Sequence, residues 1–318
     1  MHRVRTHCAV LATALTSLVA ASVAQADGLP VLGIDVGGVG VSVPGEGVRY
    51  VTLAAGANTV VARIASSGEI VYSRLVAGTF TIPAVAYDGS ASGLSHDGKT
   101  LVLIEPRQSF PREETTLLVL NAKSLRPTRL VSLRGDYSFD AISSLGSSIY
   151  LIQYVSPNDP TRYLVRALNT SSGRFDPKPI VDPRETGEKM RGNPLSRVMS
   201  TDGRWAYTLY DGAGSTPFVH ALDTSAGTAR CIDLDALAGT DLATVRLRFD
   251  SREHVLRIVR GGATALLVDL RTFKVRDGGS SSSVSLGFGA ATLGQLALLA
   301  AASAVAALSL LWLRRRRS

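Results

Sequence analysis

Asp97-Gly98 and Asp202-Gly203 are where this chain first invites a chemical reading, as carboxylates on sharp turns that could serve as bases or metal ligands. Both belong to one pattern, Ser95-His96-Asp97-Gly98 and Ser200-Thr201-Asp202-Gly203, each set between apolar runs. There Asp supplies a side-chain hydrogen bond and Gly a left-handed backbone, so a structural turn is the expectation. His96, His220 and His254 fall in separate segments, without the short spacing that metal ligands use. Carboxylate pairs for glycoside cleavage must stand about 5–9 Å apart in space, which spacing along the chain does not reveal. Residues 33–38, with Gly33, Gly37 and Gly38, look like a phosphate loop, but no helical pattern follows to supply amides to an anion. Ser66-Ser67 and Ser171-Ser172 read as hairpin turns. Cys231 lies in an apolar run and reads as a buried thiol, with a reactive or intermolecular thiol as the alternative. No catalytic residue is singled out, and no metal or cofactor is expected.

The elements that would carry these residues are strands. Between residues 27 and 277 short alternating apolar runs are separated by Gly, Asp, Asn, Ser and Pro, with no sustained helical period. A unit recurs: turn, strand, variable loop, strand, small-residue turn, strand. Its first turns fall near positions 45, 97, 146, 202 and 252, giving steps of about 52, 49, 56 and 50 residues. A period near 50 with four strands per unit fits the blades of a propeller. The expected fold class is all-β, a five-bladed β-propeller of four-stranded antiparallel blades, with blades at about 39–75, 91–133, 141–180, 197–234 and 245–277.

The Ser-x-Asp-Gly turn between strands, followed by a strand ending in Leu-Asp-Thr-Ser-Ala-Gly at 222–227 or Leu-Asn-Thr-Ser-Ser-Gly at 168–173, resembles the YVTN-type and Tol-system propeller repeats. The resemblance covers roughly residues 39–277. It implies a binding platform more often than an enzyme. Blades three and five lack the Asp-Gly turn, and no sialidase-type Asp-box is present.

The two ends predict an address. His2, Arg3 and Arg5 precede the apolar run 8–23 and Ala24-Gln25-Ala26, the pattern of a cleaved signal peptide over residues 1–26. An uncleaved N-terminal anchor is the alternative. Residues 278–285 form a Gly/Ser linker, and in residues 286–313 Gln295 is the one strongly polar side chain. That length exceeds the roughly 20 apolar residues that span a bilayer. Arg314 to Arg317, in the basic tail 314–318, would stay cytoplasmic under the positive-inside rule. The expected topology is a single-pass cell-membrane protein, N-terminus outside and C-terminus cytoplasmic.

Charge follows from topology. The chain carries 34 basic and 26 acidic residues, net +8. Without Arg3, Arg5 and Arg314 to Arg317 the count is 28 against 26, which removes the case for nucleic-acid binding. The tight turns and the long loops of a propeller lie on opposite faces. Functional residues concentrate on variable loops, so a protein, peptide or envelope glycan is expected on the long-loop face. A propeller hydrolase or lyase acting on a polysaccharide or peptide is the alternative. The loop charges Arg107, Arg112, Arg162, Arg184, Lys189 and Arg191, beside Glu113, Glu114, Asp182, Glu185 and Glu188, are expected to be a solvated surface.

Overall fold

The computed structural model describes residues 39–185 and 190–279. The expected signal peptide, the helix 286–313, the basic tail, most of the linker, the loop at 33–38, and Glu188 and Lys189 lie outside the described residues. Among the described residues no helix is long and apolar enough to cross a membrane.

Five antiparallel sheets follow one another along the chain. The first contains β1 (Val41–Ser42), β2 (Val48–Ala55), β3 (Asn58–Ala65) and β4 (Ile70–Ala77). The second has β5 (Thr100–Ile104), β6 (Glu114–Asn121) and β7 (Arg126–Arg134), and the third β8 (Tyr137–Ile142), β9 (Ser148–Tyr154) and β10 (Tyr163–Asn169). The fourth is β11 (Pro194–Met199), β12 (Trp205–Tyr210), β13 (Phe218–Asp223) and β14 (Thr228–Asp233). The fifth is β15 (Arg246–Asp250), β16 (Val255–Arg260), β17 (Ala263–Asp269) and β18 (Val275–Asp277). Isolated bridges supply the fourth strand where three are regular. Leu94 pairs with Leu101 and Thr81 with Ile104 in the second sheet; Val165 pairs with Ile180 and Leu168 with Phe175 in the third. These are the blades of a β-propeller, each a simple meander.

Blades pack face to face because the strand period of two lets the inner strands of a blade present two apolar sides, as in the wholly buried Tyr137–Ile142 and Phe218–Asp223. In β12, Ala206 and Tyr210 face blade 3 while Tyr207 and Leu209 face blade 5. Four apolar clusters join blades 1 and 2, 2 and 3, 3 and 4, and 4 and 5. None of the four joins blade 5 back to blade 1 among the described residues. The far side of blade 1 accordingly exposes Leu53, Ile70, Val71 and Leu75.

The sequence expectation differs from the structure at two places. Residues 134–140 fall between the expected blades at 91–133 and 141–180, but Tyr137–Ile142 is β8, wholly buried, so Asp140 lies inside a strand. The other concerns residues 82–92, which interrupt the inner edge of blade 2 between the bridges at Thr81 and Leu94. They form a hairpin closed by Val85 N–H donating to Ser90 O at 2.8 Å. Its tip reaches blade 4, where the Tyr87 and Asp88 amides donate to Pro194 O at 2.9 Å and Leu195 O at 3.1 Å. In return Arg197 N–H donates to Asp88 Oδ2 at 3.2 Å. The hairpin therefore crosses the centre of the ring.

Candidate functional site

A cavity of 390 Å³ opens between the inner strands on the short-turn face. Val41, Val43, Leu94, Ile142 and Met199 give it apolar walls, and Gly89, Ala91 and Ser92 of the central hairpin form part of its lining. Its rim is made from the repeated turns. Ser95 Oγ donates to Asp97 Oδ1 at 2.6 Å, and the Lys99 amide to the same oxygen at 3.1 Å. Ser200 Oγ and the Arg204 amide hold Asp202 Oδ1 in the same way, at 2.5 and 3.0 Å. Burial alone would raise both carboxyls, but these hydrogen bonds hold them below the usual range. Both Asp-Gly pairs are thus turn residues, as their repetition implied.

The turns also lock to one another. The Asp97 amide donates to Ser144 O at 3.0 Å, and Ser144 Oγ to Asp202 O at 3.3 Å. Gly203 sits at φ +69°, and a Cβ there would come within 2.5 Å of the His96 Cβ. Gly203→Ala is expected to lower unfolding free energy by about 1–3 kcal/mol through backbone strain and this clash. Urea denaturation checks it; an unchanged midpoint would mean that the turns of blades 2 and 4 do not touch.

The long-loop side is organised differently from the solvated surface expected there. Arg107 Nε and Nη2 donate to Asp136 Oδ1 at 2.9 and 2.5 Å, and both side chains are 3% exposed. The Arg112 amide donates to Asp136 Oδ2 at 3.0 Å. The Arg112 guanidinium is pushed down to about 10, first by burial and then by the Arg107 charge. Asp182 accepts from Arg184 Nη2 at 2.6 Å and from the Cys231 amide at 3.0 Å. Burial would raise Asp182, but the Arg184 and Cys231 hydrogen bonds hold it well below the carboxylate range. These loop charges staple loops to blades. Arg184 remains half-exposed, whereas Arg107, Arg112 and Asp182 are withdrawn from solvent.

A third polar group is internal. Arg197, Thr208, His220 and Cys231 stand opposite one another on β11, β12, β13 and β14, forming a row across blade 4. Arg197 forms an ion pair with Asp140 of β8, and both are buried. Tyr163 and Tyr210 pack beside them with ring centroids 5.6 Å apart. Asp140 Oδ2, Arg197 Nε and Nη1, both phenol oxygens, Thr208 Oγ1 and both His220 nitrogens are buried without a hydrogen-bond partner. Such groups are rare in folded proteins. Burial drives the His220 imidazole down to about 4 and the two phenols upward.

Of the three histidines, then, His96 lines the cavity, His254 lies in the β15–β16 turn, and His220 is buried between blades. Among the described residues no group of three or more His, Cys, Asp or Glu is placed to hold a metal ion. The reading of residues missed Asp140, Arg197 and Thr208. A lone Thr208 or His220 inside an otherwise apolar strand was the available signal.

No family model matches this chain, and no curated protein matches it. Solved structures to which it is similar include TolB from Acinetobacter baumannii, at 15% identity over 72% of this chain and 56% of that one, with a TM-score of 0.35. The Dos1 propeller is similar at 14% identity over 71% and 56%, TM-score 0.42. Hydrazine synthase from Kuenenia stuttgartiensis is similar at 16% over 73% and 68%, TM-score 0.41. Likeness of this degree adds nothing to the strand topology, and the propeller fold rests on the five sheets themselves.

Proposed function

We propose that this chain is an extracytoplasmic binding protein, tethered to the cell membrane by residues 286–313, that seats an apolar side chain of a protein or peptide in the short-turn cavity. The observation that carries this is the cavity's lining. It is apolar, concave and ringed by hydroxyl and backbone groups of the turns, the composition of a recognition pocket. Among the described residues that line it there is no Trp, Tyr or Phe to stack on a sugar ring, which favours a peptide over a glycan. The hydrolase or lyase alternative calls for acid and base groups converging in an open mouth, whereas Arg107, Arg112 and Asp136 on the other side are engaged with each other.

Orientation supports the same face. A four-stranded meander ends on the face where it began, so β18 delivers the chain to the linker on the long-loop side. A membrane helix after residues 278–285 then leaves the cavity pointing away from the bilayer.

Val43 is half-buried at the cavity wall. Val43→Lys places a charge there without touching a core cluster. Crosslinking on intact cells should capture a partner with the wild type and with Glu113→Arg on the opposite face, and lose it with Val43→Lys. Equal capture by Val43→Lys would overturn this assignment of the face. Alkaline extraction of chains with and without residues 286–313 tests the tether separately.

A further inference from the structure

The row across blade 4 ends in sulfur. Cys231 Sγ lies 4.0 Å from Met190 Sδ, and both residues are buried. Two sulfurs bound to one ion at about 2.3 Å each, at a trigonal angle, stand about 4 Å apart. His220 is directly opposite Cys231 in the β13–β14 register, on the same face of the sheet. Opposed side chains on neighbouring strands have Cβ atoms about 5 Å apart, within the reach of an imidazole. Both His220 nitrogens are buried and lack a hydrogen-bond partner. A sulfur contact alone is ordinary core packing. A buried imidazole with nothing to bind beside that contact is not.

We propose that Cys231, Met190 and His220 form a three-coordinate site for a soft monovalent metal ion, copper(I) in chemical class. Thioether sulfur is a poor ligand for zinc or the hard divalent ions, while thiolate and thioether together select copper(I). Charge agrees with this choice. On binding, the Cys231 thiol gives its proton to solvent, and a monovalent ion with one thiolate is neutral, as a buried site requires. A divalent ion would leave a net positive charge between two apolar sheets. Asp182, which accepts the Cys231 amide, is already engaged by Arg184 and Arg230 and adds no free charge. The site is independent of the short-turn cavity, so it stands or falls apart from the proposed binding role.

The test uses the purified full-length chain in detergent, titrated anaerobically with Cu(I) against a chromophoric Cu(I) chelator. One equivalent should be retained, with X-ray absorption placing two sulfurs at about 2.3 Å and one nitrogen at about 2.0 Å. Cys231→Ser should abolish retention, and Met190→Leu and His220→Phe should each weaken it about tenfold or more. Retention equal in Cys231→Ser means adventitious binding and overturns the site. So does loss in Cys231→Ser with no effect of the other two variants, which means a lone thiol. Should Cys231→Ser fail to fold, Ag(I) protection of Cys231 from alkylation in the wild type decides the matter; absence of protection overturns the site.

Discussion

Arg197→Met is expected to lower the unfolding free energy by about 3–5 kcal/mol, the usual effect of removing one partner of a buried ion pair. Asp140 and Arg197 are 1% and 4% exposed, so the variant leaves a buried carboxylate between two blades without its cation. The contact also lies where β8 meets β11, so its loss loosens the seam between blades 3 and 4. The double variant Asp140→Leu with Arg197→Met should recover most of the loss, because an apolar pair of similar volume avoids desolvating two charges. Urea denaturation of the four species gives the coupling directly. A loss below about 1 kcal/mol in Arg197→Met would show that the pair is solvated in solution.

Stability should also fall as pH drops from about 6.5 to 4, by roughly 3 kcal/mol, through His220 alone. Its folded imidazole is driven down to about 4 by burial, with the Asp140 charge opposing and the Arg197 charge adding to the shift. Above pH 6.5 the group is neutral in both states and contributes no slope. Below that value the unfolded chain takes up a proton that the folded chain refuses, so the folded state loses ground. Near pH 4 both states are protonated and this contribution levels off. Asp97, Asp182, Asp202 and Asp223 act in a separate range. Their folded values are lowered, so the stability they add is present above the ordinary carboxylate value and is lost only as pH falls through their lower folded values. Denaturation curves of His220→Phe should therefore be flat from pH 6.5 to 4 and still fall below it. A slope unchanged by the substitution would mean that His220 gains a proton in the folded protein.

The blades were legible because their determinants are local. Ser95 with Asp97, and Ser200 with Asp202, make the same hydrogen bonds in the same short turn, so identical letters meant identical geometry. The central hairpin was not legible. Residues 82–90 fall between the expected blades at 39–75 and 91–133, and the partners of Tyr87 and Asp88 lie in β11, far along the chain. Asp140 falls outside the expected blades at 91–133 and 141–180, in the stretch that joins them. Its partner Arg197 is 57 residues away, and pattern along the chain carries no trace of such a pair. The loop arginines misled for the same reason, since Arg107 meets Asp136 only once blades 2 and 3 are packed. Loop length says where variation is tolerated and not where a cavity opens: the short-turn cavity is lined in part by a hairpin that interrupts a strand.

That hairpin sets an order of events in time. Asp88 contacts Arg197 across 109 residues of chain, a separation that makes its closure slow and late. Residues 82–92 emerge from any N-to-C process, synthesis or export, well before β11 exists to receive them. Until then the tip of the hairpin has no strand to receive it. Completion of blade 4 is therefore the step at which the hairpin is fastened, and a chain halted short of residue 199 carries its tip unfastened through whatever passage it makes.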